Sequence, residues 1–356
     1  MDVWTQFAAS PRGIVKVAED AEAKGWDGLS VVDSQNLSGD PFVALAMAGA
    51  VTERIGLATA VSNPITRLPA AAAAGIASVD VVSRGRAVFG VGRGDSALAH
   101  LGRSPARLKY FSLFLEQLQA YLAGKPVDFD AVPIADEIAP PMSTLALAQA
   151  PEDSRIRWLE GRRKVPVEVA ASGPKVIALA AVKADRVMFA LGADPVRLAW
   201  GVETAKQARL DAGMDPDTLE FGAYINCVCH TDMDAARDMV RGGLTTFARF
   251  SVMHGKTVGP LSDAMADTMH KVRAAYDMRK HTESGSAQAA ALTPEFIDSY
   301  AIVGPPEHCI ERFKAIAATG VSKVAMSGNL RGASTETGFQ AKALMENEVL
   351  KVIQQF

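Results

Sequence analysis

The sequence predicts a (β/α)8 barrel with insertions after its fourth and seventh strands. Two observations carry this. Eight short apolar β-type runs recur along the 356 residues, most of them followed by a stretch with helical apolar spacing. The runs are apolar almost throughout, as expected where both faces of a parallel sheet are buried. No shift in composition marks a second domain, so residues 1–356 read as one unit. A doubly wound sheet is the alternative, because sequence does not show closure.

The first run is Val3–Phe7, VWTQF. Ser10-Pro11 then pairs an N-cap hydroxyl with an N1 proline, ahead of an apolar stripe over Ile14, Val15, Val17, Ala18 and Ala21 that Gly25 ends. The second run is Gly28–Val32, with Asp40-Pro41 capping a helix to about Glu53. The third is Ile55–Val61, before a helix from Pro69 to Val82. The fourth is Arg86–Val91. Ser104-Pro105 predicts a helix through Leu122, and residues 128–163 are rich in proline and mixed charge with no strong period. The fifth run, Val165–Ala171, enters Ser172-Gly173-Pro174 directly. The sixth, Arg186–Leu191, precedes an Asp194-Pro195 cap. The seventh, Phe221–Cys229, precedes helical stretches at Met233–Phe250 and Leu261–His281 and a loop at Thr282–Ala291. A helix from Pro305 to Ala318 leads to the eighth run, Lys323–Ser327, and a last helix covers Thr337–Gln355.

Charge and composition exclude several classes. A net charge of −3 with 22% charged residues offers nothing to nucleic acid or an anionic membrane. The N-terminus, MDVWTQF, has an acid and no basic region, so it does not read as a signal peptide. No uncharged apolar run reaches the roughly 18 residues of a membrane span. Three cysteines argue for a reducing compartment, hence the cytoplasm. Cys227 and Cys229 lie two apart in a strand and share a face, which favours buried thiols over a metal pair. The six histidines show no metal-binding spacing, so no metal is expected.

In a barrel the chemistry sits at the C-terminal ends of the strands. Residues Arg86–Ser96, RAVFGVGRGDS, run from a strand into glycines at 90, 92 and 94. Such a turn lets backbone N–H groups approach a phosphate. The third glycine of a dinucleotide fingerprint is missing, so this is not a Rossmann turn. Gly92, Arg93, Gly94, Asp95 and Ser96 are its candidate contacts; an ordinary strand-to-loop turn is the alternative. Ser172, Gly173, Pro174 and Lys175 place a hydroxyl and a cation at a helix N-terminus, where the dipole favours an anion. Two such turns at neighbouring barrel ends point to a phosphorylated cofactor or substrate. The other strand ends offer Gln6 and Phe7; Asp33, Ser34, Gln35 and Asn36; Ala60, Val61, Ser62 and Asn63; and Ser327, Gly328 and Asn329.

Three segments carry a family resemblance: Asp33–Arg67, DSQNLSGDPFVALAMAGAVTERIGLATAVSNPITR; Val82–Gly102, VSRGRAVFGVGRGDSALAHLG; and Val165–Val187, VPVEVAASGPKVIALAAVKADRV. Over nearly its full length the chain resembles the bacterial-luciferase-like oxidoreductases. Within them it resembles the coenzyme F420-dependent methylenetetrahydromethanopterin reductase-like branch. The resemblance implies a flavin or deazaflavin across the barrel mouth, backed by a strand-three bulge with a non-prolyl cis peptide at Ala60–Val61 or Val61–Ser62. It implies F420, or alternatively FMN, held by Arg93, Gly94, Ser96, Gly173 and Lys175 and backed by Ala60, Val61 and Ser62. Asp33, Gln35 and Asn63 would face the ring edge or substrate, and Asp33, Ser34 and Gln35 are the candidate catalytic residues. Several F420 enzymes have Asp-His after strand two, where this chain has Asp33-Ser34, and the position of Ala60 is often glycine.

The expected function is F420-dependent hydride transfer to or from a small organic substrate. The alternatives are an FMNH2-dependent two-component monooxygenase served by a separate flavin reductase, and a flavin-binding protein without catalysis. A longer acidic cofactor tail would ask for rim cations, for which Arg67, Arg103, Arg107 and Lys109 are candidates or else form a solvated helix face. The insertions Ala97–Lys164 and Thr231–Ala301 are expected around the substrate, with Met142, Trp158, Met253 and His254 lining it or packing. The resemblance also implies a homodimer through the second and third helices, whose alanine-rich stretches Val43–Ala50 and Ala70–Ala77 suit close helix contact.

Overall fold

The computed structural model describes residues 1–328 and 335–356; Asn329 lies outside them. Nine parallel strands form the sheet: β1 (Asp2–Ala8), β2 (Gly28–Val32), β3 (Gly56–Thr59), β4 (Ala87–Val91), β5 (Val167–Ala171), β6 (Arg186–Phe189), β7 (Glu220–Cys229), β8 (Ile302–Gly304) and β9 (Lys323–Ser327). β1 to β7 follow one another around the barrel, β9 fits between β7 and β1, and the β6–β7 pairing closes it. The eight expected runs are therefore the eight barrel strands. β8 was not expected. It is three residues long and pairs with the upper end of β7 at Cys227–Cys229, while β9 pairs with Gly222–Asn226 below.

Around the barrel lie α1 (Ile14–Lys24), α2 (Pro41–Val51), α3 (Pro69–Val82), α4 (Ser96–Ala99), α5 (Leu108–Leu122), α6 (Pro174–Lys183) and α7 (Pro195–Asp211). After β7 come α8 (Met233–Phe250), α9 (Asp263–Ala274), α10 (Ala287–Ala290) and α11 (Pro294–Tyr300). The chain ends with α12 (Pro306–Ala317), α13 (Glu336–Leu344) and α14 (Leu350–Ile353), the last two joined by a π turn at Met345–Val349.

The Asp-Pro caps form as the sequence predicts: Asp40 accepts from the N–H groups of Phe42 and Val43, and Asp194 from that of Val196. The Ser-Pro pairs do not cap. α1 begins at Ile14 behind Gly13, and α5 begins at Leu108, three residues beyond Pro105. In both places a turn intervenes before helical geometry sets in. The expected loop at 282–291 contains α10, capped by Ser286.

The barrel floor is filled by Trp4, Ala58, Ala60, Met188, Tyr224 and Ala325. Trp4 fits because β2 and β3 begin with glycine: a Cβ on Gly28 or Gly56 would come within 2.5 Å of the indole. Below the floor, Lys323 donates to both carboxylate oxygens of Glu168, at 2.8 and 3.0 Å, and lies 3.4 Å from the Trp4 ring centroid. Arg186 joins Glu168 to Glu220 at the rim. The small alanines at the upper level leave the mouth open.

Candidate functional site

A cavity of about 600 Å³ opens at the C-terminal ends of the strands, within the size range of small-molecule and cofactor sites. One wall comes from the ends of β2 to β5. The facing wall comes from the insertion after β7: Gly243, Thr246, Phe247 and Phe250 on α8, then Met253, His254, Lys256, His281 and Thr282. Met142 and Trp158, from the insertion after β4, do not line it. That insertion contributes only Ala97, Pro105 and Leu108, because residues 125–163 fold back beside the far end of α5, where Val127 bridges to Ser154.

The β3 edge carries a one-residue bulge. Ala58 pairs with Val88 and Ser62 with Val91, so four steps on β3 oppose three on β4. The extra residue falls where the Ala60–Val61 peptide is cis, the first of the two steps expected. Gly90 makes the crossing possible: a Cβ there would lie 2.0 Å from the Thr59 carbonyl oxygen. Ala60 and Val61 line the cavity.

Asp33 and Asn63 are almost fully buried, at 3% and 1% exposure, yet each keeps one polar atom without a partner among the described residues. Asp33 Oδ2 accepts from Ser62 Oγ at 2.7 Å and from Arg67, and its Oδ1 has no donor. Burial pushes the Asp33 carboxyl above the usual aspartate range, against the opposing pull of Ser62 and Arg67. Asn63 Oδ1 accepts from the N–H groups of Ile65 and Thr66, both at 3.1 Å, and its Nδ2 has no acceptor. Both residues line the cavity. An unpaired buried donor and acceptor are costly unless a ligand or water meets them.

The two turns expected to hold an anion stand side by side after β4 and β5. Gly92 to Ser96 and Ser172 to Lys175 all line the cavity. Arg93 is anchored through Nε to the Ala106 carbonyl at 2.6 Å. Neither Arg93, Lys175 nor Lys256 is ion-paired with a described residue. Gly94 has φ +88°, and a Cβ on it would also collide with Leu98. Three expected roles change. The Gly92 N–H donates to Ser62 O at 2.9 Å, so this glycine shapes the turn rather than offering its N–H to a phosphate. Asp95 pairs with Arg249 from α8 and ties the facing wall down. Ser172 makes no cap to α6, where Gly173 is the N-cap and Pro174 fills N1.

Two expected site residues lie outside the cavity lining. Gln35 is exposed and its amide donates to the Ala97 carbonyl at 2.9 Å, bracing α4. Ser62 is fully buried and positions Asp33. Ser34 lines the cavity, but its hydroxyl is 2.7 Å from that of Ser96, joining the ends of β2 and β4. Arg67 is taken up by Asp33 and Asp40, and Arg103, Arg107 and Lys109 are exposed outside the lining.

Sequence reasoning missed Tyr224, Phe247 and the Arg249 network. Arg249 lies 4.4 Å from the Tyr276 ring centroid, and the Tyr276 hydroxyl is 2.7 Å from His281 Nδ1. The signal for Tyr224 was one hydroxyl in a mostly apolar strand. The α8 residues gave none, since an amphipathic helix does not show what its face covers.

The luciferase-like monooxygenase family model matches residues 2–323. A 5,10-methylenetetrahydromethanopterin reductase of Archaeoglobus fulgidus is 27% identical over 312 residues, covering 87% of this chain and 86% of that protein. The structure of the coenzyme F420 dependent tetrahydromethanopterin reductase from Methanopyrus kandleri superposes with a TM-score of 0.72 at 18% identity, covering 98% of both chains. Monooxygenase RslO1 from Streptomyces bottropensis gives 0.64 at 18% identity, covering 99% of both. The barrel, its strand-three bulge and a family match over nine-tenths of the chain agree: this protein belongs to the luciferase-like monooxygenase family and is an oxidoreductase.

Proposed function

We propose that the protein is a coenzyme F420-dependent oxidoreductase that moves a hydride between the deazaflavin and a small organic substrate. The observation that carries this reading is the pair of buried, unpartnered atoms Asp33 Oδ1 and Asn63 Nδ2, on residues lining a cavity that Arg93 and Lys175 also line. They fit a ring with both donors and acceptors on its edge and an anionic tail. The names of the Archaeoglobus and Methanopyrus reductases support F420 over other carriers.

When bound, the deazaflavin supplies the hydride chemistry. The chain supplies position and exclusion of water. Ala60 and Val61 back the ring, Asp33 and Asn63 hold its edge, and Arg93, Gly94, Ser96, Gly173 and Lys175 hold the phosphodiester and tail. Phe247, Phe250 and Met253 close the substrate side. Asp33 is engaged by Arg67 and Ser62, and Ser34 by Ser96, so both act in orientation.

The second reading is an FMNH2-dependent two-component monooxygenase with a separate flavin reductase, favoured by the family's description and the RslO1 likeness. An anaerobic assay separates the two. Reduced F420 oxidised only when a ketone, aldehyde or imine acceptor is added supports the first. FMNH2 consumed only when oxygen is admitted supports the second. Cofactor bound without turnover supports a flavin-binding protein.

The reading includes a cytoplasmic homodimer. No described helix is long and apolar enough to cross a membrane. Val43 and Val51 on α2 and Val81 and Val82 on α3 are all exposed, and the reading places the second copy against these two helices. Sedimentation should give twice the chain mass, and Val43→Glu with Val81→Glu should halve it.

A further inference from the structure

Tyr224 stands at the centre of the barrel floor. It lies on β7, in register with Ala325 on β9, and is 6% exposed. It packs with Trp4, Ala58, Ala60, Met188 and Ala325, and Ser30 and Thr59 border the small space below it. Its side chain separates the main cavity above from the Glu168–Lys323 cluster below, and lines the space on both sides. A Cβ on Gly90 would lie 3.6 Å from its hydroxyl oxygen, which places that oxygen beside the bulge where Ser62 N–H meets Gly90 O.

That hydroxyl forms no hydrogen bond with any described residue. The residue is buried, but its oxygen is not among the fully enclosed unpartnered atoms, so it stays open to the adjoining space. A phenylalanine would fill the same floor without offering a donor. Burial and the Glu168 carboxylate below both push the phenol well above its ordinary value, so it remains an O–H donor across the working pH range. A donor held beside Ala60 and Val61, with no hydrogen-bond partner among the described residues, awaits an acceptor from the ligand.

Building on the proposed cofactor, we infer that the Tyr224 hydroxyl donates a hydrogen bond to a carbonyl oxygen of the pyrimidinedione part of the bound deazaflavin or flavin. This makes Tyr224 a cofactor-positioning residue that reaches from β7 across the floor to the β3–β4 bulge. Nothing in the strand pattern of β7 requires a hydroxyl there.

The test compares the wild type with Tyr224→Phe, using oxidised F420 and oxidised FMN as probes. Three readouts are taken: dissociation constant, visible spectrum of the bound ring, and melting temperature with and without ligand. The expected result is an about three- to tenfold weaker affinity for the better ligand and a shifted visible band. The ligand-free melting temperature should be unchanged or higher, and the ligand-induced rise smaller. Equal affinity with an identical spectrum overturns the inference. So does a lower melting temperature of the ligand-free variant, which would show that the hydroxyl already has a structural partner. If the wild type binds neither probe, the cofactor reading itself fails, and this inference with it.

Discussion

Asp95 and Arg249 are 154 residues apart in sequence and form an ion pair across the cavity mouth, joining the β4 turn to the end of α8. The pair is mostly shielded, with side-chain exposures of 16% and 13%. It makes a carboxylate in the turn after β4 a tether for the opposite wall. Removing one partner leaves a poorly solvated charge. Arg249→Met should cost about 3 kcal/mol of unfolding free energy, and the double variant with Asp95→Asn should cost less than the two single changes added. Denaturant unfolding of all four proteins measures the cycle; strict additivity would show that the pair carries no coupling.

Asn63 has two separable jobs. Its Oδ1 closes the turn onto Ile65 and Thr66, while its Nδ2 is buried without an acceptor in a residue that lines the cavity. Asn63→Asp retains the acceptor and replaces the donor with a second oxygen lining the cavity shared with Asp33. The expected outcome is cofactor affinity lower by about tenfold or more, with the melting temperature altered by only a few degrees. Isothermal titration and a melting curve read both; equal affinity would remove Asn63 from the binding edge.

Gly90 and Gly173 should respond oppositely to alanine. At Gly90 the new Cβ would meet the Thr59 carbonyl at 2.0 Å, so the β3 bulge must move, at a cost of about 3 kcal/mol or more. At Gly173 the Cβ would meet nothing within 4 Å, and φ is −110°. Gly173→Ala should leave stability unchanged. Comparable losses at both sites would contradict the described turn.

These glycines show how much of the site was legible in the sequence. The glycine spacing announced a tight turn at a strand end, and the turn is there, but its pattern did not show that Gly92 spends its N–H on Ser62. The eight strands were readable because each is a buried apolar run. β8 was not, because three residues carry too little period. The β2 to β5 wall lay at strand ends, which a barrel rule locates. The α8 wall depends on how an insertion folds over the mouth, and Tyr224 points to the floor only through barrel closure.

The buried Glu168–Lys323 pair predicts the acid limb of stability. Burial alone would raise the Glu168 carboxyl, but the Lys323 ammonium and Arg186 guanidinium outweigh it and hold the carboxyl below its ordinary value of 4.5. A carboxylate lowered in the folded state contributes stability above its unfolded value, and that contribution is lost as pH falls from about 4.5 through the folded value. Glu168→Gln should flatten this limb and, at neutral pH, cost about 3–5 kcal/mol by leaving Lys323 buried without its counter-ion. Urea unfolding between pH 7 and pH 3 checks both effects; an unchanged acid slope would refute the assignment.

The most direct test of the account is equilibrium titration of the purified protein with oxidised F420 and, separately, oxidised FMN. The account predicts F420 binding in the low-micromolar range or tighter, with FMN at least about tenfold weaker. Tighter binding of FMN, or no binding of either at that concentration, would contradict it.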